Sequence, residues 1–179
     1  MEQTKPYIGP ILYVIHAPLP DGVLNYAKEP SMPLQITANK SKVMRALNAA
    51  GIRGVPVVYA SSTHKDWIKE TISSVKHMPR IIWVNDFAAG SPLLLKRKLA
   101  KEKVNPTKIS CLGSIREDCV PTGAKAMKEA FPSAKVYVIE GASTVFRQVN
   151  RHLRKQNVAE MIKVGFLRSK KLGAKHFVG

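Results

Sequence analysis

The sequence predicts a doubly wound, Rossmann-like α/β domain: a mostly parallel sheet of about five strands, with helices on both faces in three layers. Three observations predict it. Five short apolar runs, mostly β-branched, recur along the chain. Stretches of helical period separate them, so strand and helix alternate. The runs are apolar throughout and not alternating, as in strands buried on both faces. Right-handed crossovers between such strands put helices on either side of the sheet.

Ile11–Ile15 is the first strand. Pro18, Pro20, Gly22, Pro30 and Pro33 then mark an irregular connection over 17–40. Such a long loop is uncommon in a compact domain and is often functional. Ser41 is suited to cap a helix from Lys42 to Ala50, with Gly51 as its stop. Val55–Tyr59 is the second strand. Pro56 implies an edge position or a late entry into the ladder, because proline has no N–H to donate.

A helix follows over about 64–76, with Trp67, Ile68, Thr71, Ile72 and Val75 on one face. Arg80–Val84 is the third strand. Gly90 and Ser91 open a helix in which Pro92 takes the first turn, where a missing N–H costs nothing. Lys108–Leu112 is a weaker fourth strand. Pro121–Gly123 precede a helix ending near Phe131, and Lys135–Ile139 is the fifth strand. A last helix opens near Thr144 and continues to about Val164. Residues 1–164 thus form one domain, and 165–179 a basic, partly ordered tail.

Composition narrows the class. An apolar share of 45% over 179 residues is enough for a sizeable core. The net charge of +17 comes from 29 Lys and Arg against 12 Asp and Glu. Self-repulsion at that charge disfavours the compact state, so a polyanionic partner is expected. The excess begins at Gln35 and ends in the tail.

Arg147, Arg151, Arg154 and Lys155 lie opposite Val145, Val149 and Leu153 on the last helix. Arg168, Lys170, Lys171 and Lys175 follow in the tail. Lys96, Arg97, Lys98, Lys101 and Lys103 form a second cluster. The leading expectation is therefore a non-catalytic accessory or structural component of a nucleic-acid assembly. It would contact the phosphate backbone of DNA or RNA in a salt-sensitive way. An acidic protein is the alternative partner.

In such folds ligands collect at the carboxyl ends of the strands. That edge is expected to carry His16, Ser61, Ser62, Thr63, His64, Asn85, Asp86, Ser91, Ser114, Glu140, Ser143 and Thr144. The hydroxyl residues read first as helix caps and second as phosphate contacts. Asp86 and Glu140 support an enzymatic alternative. Two carboxylates projecting together could hold Mg²⁺ and activate water in a nuclease or phosphotransferase, with His16, His64 or Asp66 joining them. Without that chemistry no cofactor is expected.

Other motifs fail on chemistry. Around Lys125 the phosphate-loop glycine positions hold Cys119 and Ala124, and the hydroxyl position holds Ala126. Glu140 after an apolar strand resembles the first acidic motif of topoisomerase–primase domains, but no Asp follows Asp118. There is no dinucleotide fingerprint and no G-x-S-x-G elbow. Cys111 and Cys119 make neither a disulfide framework nor a zinc pair, so both are expected as inert reduced thiols. The N-terminus has no signal-peptide pattern and no run is long enough to span a membrane. An intracellular protein is expected.

Overall fold

Six parallel strands in the order β3-β2-β1-β4-β5-β6 organise the molecule. The computed structural model describes residues 5–17, 32–61, 65–114, 119–143 and 167–179. The strands are β1 (Tyr7–Ile15), β2 (Val57–Ala60), β3 (Ile81–Val84), β4 (Val104–Gly113), β5 (Lys135–Ser143) and β6 (Leu167–Ser169). The helices are α1 (Met32–Ile52), α2 (Lys65–Ile72), α3 (Asp86–Ala89), α4 (Pro92–Lys101) and α5 (Cys119–Ala130). A 3₁₀ turn, Ala174–His176, lies near the C-terminus.

This is the doubly wound class that the apolar runs predict. Strands β1 and β4 are central, and their alternate side chains feed two cores. Ile11, Tyr13, Ile15, Ile109 and Cys111 pack with α4 and α5 on one face. Leu12, Val14 and Leu112 pack with α1 and α2 on the other. Tyr13 and Tyr59 are among the largest fully buried side chains, one in each core. No helix among the described residues is long and apolar enough to cross a membrane.

Several elements differ from the sequence expectation, each for a local reason. Helix α1 begins at Met32, so Ser41 lies inside it and not at its cap. It also runs past Gly51, where a Cβ would overlap the His77 carbonyl: that glycine serves close packing and not helix termination. Strand β2 starts one residue after Pro56 and lies between β3 and β1, so late entry and not an edge position accommodates the proline. Strand β4 is ten residues long and carries Pro106 opposite Gly9, beside a register shift in the β1 ladder. A bulge is where a strand tolerates a missing N–H.

Within the expected basic, partly ordered tail, the described residues 167–179 add a strand. Leu167–Ser169 extends the sheet as β6, with Tyr137 opposite Leu167 and Ile139 opposite Ser169. Beyond it Phe177 is buried in the second core. His176 is buried between two hydroxyls, 3.1 Å from Ser110 Oγ and 3.2 Å from Ser169 Oγ, with the Tyr137 ring edge-on to it. Lys108 Nζ donates to the Lys175 and Val178 carbonyls at 2.9 and 2.6 Å.

Burial, and then the charges of Lys175 and Lys108, hold the His176 imidazole below its usual value of 6.5. The folded state therefore binds this proton less readily than the unfolded chain. The stabilisation is complete above about pH 6.5 and is lost as pH falls from there toward the folded value. Urea titrations should give a lower midpoint at pH 5.5 than at pH 7.5, and His176→Gln should flatten that difference. An equal pH dependence in the variant would assign the effect to other groups.

Candidate active site at the carboxyl edge of the sheet

Strands β1 and β4 are neighbours, yet the chain leaves them for helices on opposite faces. In doubly wound domains such a switch point is where ligands bind, outside the carboxyl ends of the strands. Ile15 and Gly113 pair there, and the Ser114 N–H donates to the Ile15 carbonyl at 2.8 Å. Gly113 has φ of 136°, and a Cβ on it would overlap the Ile15 carbonyl oxygen. The two strand ends can approach this closely because that position has no side chain.

The residue that follows β1 is strained. His16 has φ of 48°, a left-handed conformation that is uncommon outside glycine and often found at functional sites. Its N–H donates to the Ala60 carbonyl at 3.0 Å, and its side chain is half-buried. The turn there breaks the strand's alternation. Ala17 joins Leu12 and Val14 in the second core, where an unbroken strand would have sent it to the first.

Two buried tyrosines fasten this edge from below. The Tyr59 hydroxyl donates to the Ala17 carbonyl. The Tyr13 hydroxyl donates to the Ala89 carbonyl at 3.0 Å, which ties the α3–α4 turn down over β1. Burial pushes the Tyr59 phenol far above its usual range, so it stays a neutral donor.

Helix α5 lies against this edge. A Cβ on Gly123 would lie 2.6 Å from Ile15 Cδ1 and 3.0 Å from Tyr13 Cε1, so the helix rests almost backbone-first on β1. Cys119 is the first residue of α5 and sits four positions before Gly123, on the same helix face. One turn is about 5.4 Å, so Cys119 lies that much further toward the carboxyl edge, beside the end of β1. Thr122 approaches from the other side: its methyl is 3.9 Å from the Cβ position of Gly90. The end of β1, the α3–α4 turn, Ser114 and the first turn of α5 therefore converge.

The two thiols differ. Cys111 is fully buried in the first core, and burial drives its pKa far up, as an inert thiol requires. Cys119 is only partly buried. The expectation of two inert thiols holds for Cys111 and fails to anticipate where Cys119 stands. A signal was present: Gly123, one helical turn later, marks the face that meets the sheet.

Other expected site residues are dispersed. Asn85 Oδ1 accepts from the Ala88 N–H at 2.7 Å, and Ser91 Oγ accepts from the Leu94 N–H at 3.4 Å. Both are helix caps. Ser143 donates to the Ile139 carbonyl at 2.8 Å. Asp66 pairs with Lys69 on the surface at 3.2 Å. Asp86 opens α3 after β3, whereas Glu140 lies within β5 and not beyond it. These strands are four steps apart in the sheet, roughly 19 Å at about 4.8 Å per step. The two carboxylates cannot share a metal, because oxygen ligands sit about 2.0–2.6 Å from the ion. Among the described residues, no three His, Cys, Asp or Glu side chains group as metal ligands.

Among the described residues, the basic side chains lie on both faces of the sheet. Lys96, Arg97 and Lys101 are exposed on α4, on the α5 face of the sheet. Lys98 instead pairs with Glu102 at 3.0 Å, and Arg80 pairs with the same carboxylate at 2.8 Å. Both partners hold the Glu102 carboxyl below its usual range. Lys170 and Lys171 lie beside α1, on the opposite face. Lys175 lies 6.0 Å from the centre of the Tyr137 ring. Arg168 is in β6. His64, Thr144, Arg147, Arg151, Arg154 and Lys155 fall outside the described residues.

No family model matches the chain, and no curated protein matches it in sequence. Solved structures do match in fold. The YcaC gene product of Escherichia coli, described as an octameric hydrolase of unknown specificity, is 20% identical with a TM-score of 0.56. The match covers 89% of this chain and 74% of that one. The MAR1 ribonuclease of Caenorhabditis elegans is 16% identical at a TM-score of 0.55, covering 94% and 80%. The nicotinamidase of Staphylococcus aureus is 13% identical at 0.54, covering 92% and 99%. The chain therefore shares the α/β fold of these solved structures.

These neighbours overturn the expectation of a non-catalytic nucleic-acid-binding component. Each is described as an enzyme, whereas that expectation rested on net charge and on the basic helix and tail. Charge sets the long-range field and solubility of a protein but does not specify its fold or chemistry.

Proposed function

We propose that this chain is a hydrolase of a small amide, with Cys119 as its nucleophile and His16 as its proton carrier. One observation carries the proposal: the partly buried Cys119 heads a twelve-residue helix and lies on the face that meets the strained end of β1. The likeness to a nicotinamidase supports amide hydrolysis as the chemistry.

The parts suit acyl transfer. A thiol at a helix N-terminus favours its thiolate, because the unsatisfied N–H groups there carry partial positive charge. The thiol proton passes to the His16 imidazole as sulfur adds to the substrate carbonyl. The developing oxyanion lies near the first-turn N–H groups of Cys119 and Val120, since Pro121 has none to offer. Collapse breaks the C–N bond, and the imidazolium proton leaves with the amine. Water then adds to the thioester, the C–S bond breaks, and the acid departs with the thiol restored.

The test is to trap the covalent intermediate. The protein is mixed with a panel of small primary amides and their activated esters, acid-quenched, and analysed by intact mass and peptide mapping. An acyl adduct on Cys119 is expected. Substrate turnover with no adduct on Cys119, or an adduct on another residue, would overturn the assignment.

A further inference from the structure

A cavity lies away from the Cys119 site, on the α1 face of the sheet. Its volume is about 540 Å³, within the roughly 300–1,000 Å³ range of small-molecule sites. It opens between α1, the end of β5 and the segment after β6. We infer that it binds a small organic anion, with the acid group at a cationic rim and a planar apolar body on the floor.

Among the described residues, four cations line the cavity and no carboxylate does: Lys42 and Arg45 from α1, Lys170 and Lys171 from the segment after β6. All four are exposed, and none forms an ion pair with another described residue. Cations gathered from two remote segments without counter-charge repel one another, and a bound anion relieves that repulsion. Lys42 and Arg45 are three residues apart on α1, and Ala46 and Ala49 continue the same face. Two of the cations and two of the floor alanines therefore come from one helix.

The hollow exists because its floor residues are small. Ala46 and Ala142 are buried there, and Ala49 is partly covered. Gly141 lets the two sheet strands meet: its N–H donates to the Lys170 carbonyl at 3.0 Å, and a Cβ would overlap that oxygen. The buried Phe177 ring closes one wall, with the Arg53 guanidinium 5.4 Å from the ring centre. An aromatic wall facing an alanine floor suits a flat body more than a bare inorganic ion.

Two probes share this chemistry and differ in acid group: 2-naphthoate and phenyl phosphate. Inorganic phosphate supplies the charge alone. Calorimetry on the full chain should give one site for each organic anion and at least tenfold weaker binding for phosphate. The paired reversal Lys42→Glu with Lys170→Glu should weaken binding at least tenfold, and Ala49→Phe should block it by filling the floor. Arg97→Glu, on the opposite face, should change affinity less than twofold. The inference is overturned if neither probe binds, if phosphate binds as tightly as both, or if Arg97→Glu weakens binding as much as the paired reversal. Cys119→Ala should leave this binding intact, which separates the cavity from the proposed catalytic site.

Discussion

Cys119→Ala is expected to lower kcat/KM for amide hydrolysis by at least about 10³-fold, equivalent to about 4 kcal/mol of transition-state stabilisation. Removing a covalent nucleophile leaves only binding and oxyanion contacts to accelerate the reaction. Stability should change little, because Cys119 is at a helix end and only partly buried. Amine release measures the first effect and urea unfolding the second.

The other thiol provides the contrast. Cys111→Ala removes a fully buried sulfur from the first core, so it should lower stability and leave turnover in place. Iodoacetamide should alkylate Cys119 in the native protein and reach Cys111 only after unfolding. Loss of turnover in Cys111→Ala, with native stability retained, would move the chemistry to the wrong thiol and refute the assignment.

Gly113→Val should cost at least about 4 kcal/mol, because steric overlap and forbidden backbone geometry act together. Its φ of 136° is inaccessible to a β-branched residue, and the added Cβ would meet the Ile15 carbonyl oxygen. The chain cannot simply move aside. Ser114 is bonded to that same carbonyl, and β1 and β4 are the two central strands. Gly113→Ala should follow at smaller size. Gly173→Ala, with no atom within 4 Å of its Cβ position, should stay within about 0.5 kcal/mol of the parent. Urea midpoints compare the three. A Gly113→Val protein of parental stability would mean that the strand ends are further apart than described.

Much of this architecture is legible along the chain. Apolar runs and helical periods are local patterns, and they identify five strands and the helices between them. Ser91 before Pro92 correctly announces the start of α4, since a cap is satisfied within a few residues. β6 was missed because Leu167–Ser169 is too short to carry a pattern, and its partner β5 is about thirty residues away. The same holds for α1, whose first turns carry Pro33 and polar residues that read locally as loop.

The candidate site was legible only in pieces. His16 and Cys119 are both visible in the sequence, but that both belong to the same edge of the sheet rests on β1 and β4 being neighbours and on Gly123 letting α5 approach β1. Asp86 and Glu140 show the converse. Each follows or ends an apolar run, so they look equivalent, yet strand order separates them by four steps.

The sequence by itself determined the class of fold, the net charge and the identity of nearly every strand, because periodicity and composition are properties of neighbouring residues. Strand order, the face taken by each basic cluster, the strain at His16 and the different settings of Cys111 and Cys119 came from tertiary packing. Those features depend on contacts between residues far apart in the chain, and on how closely glycine lets two backbones approach.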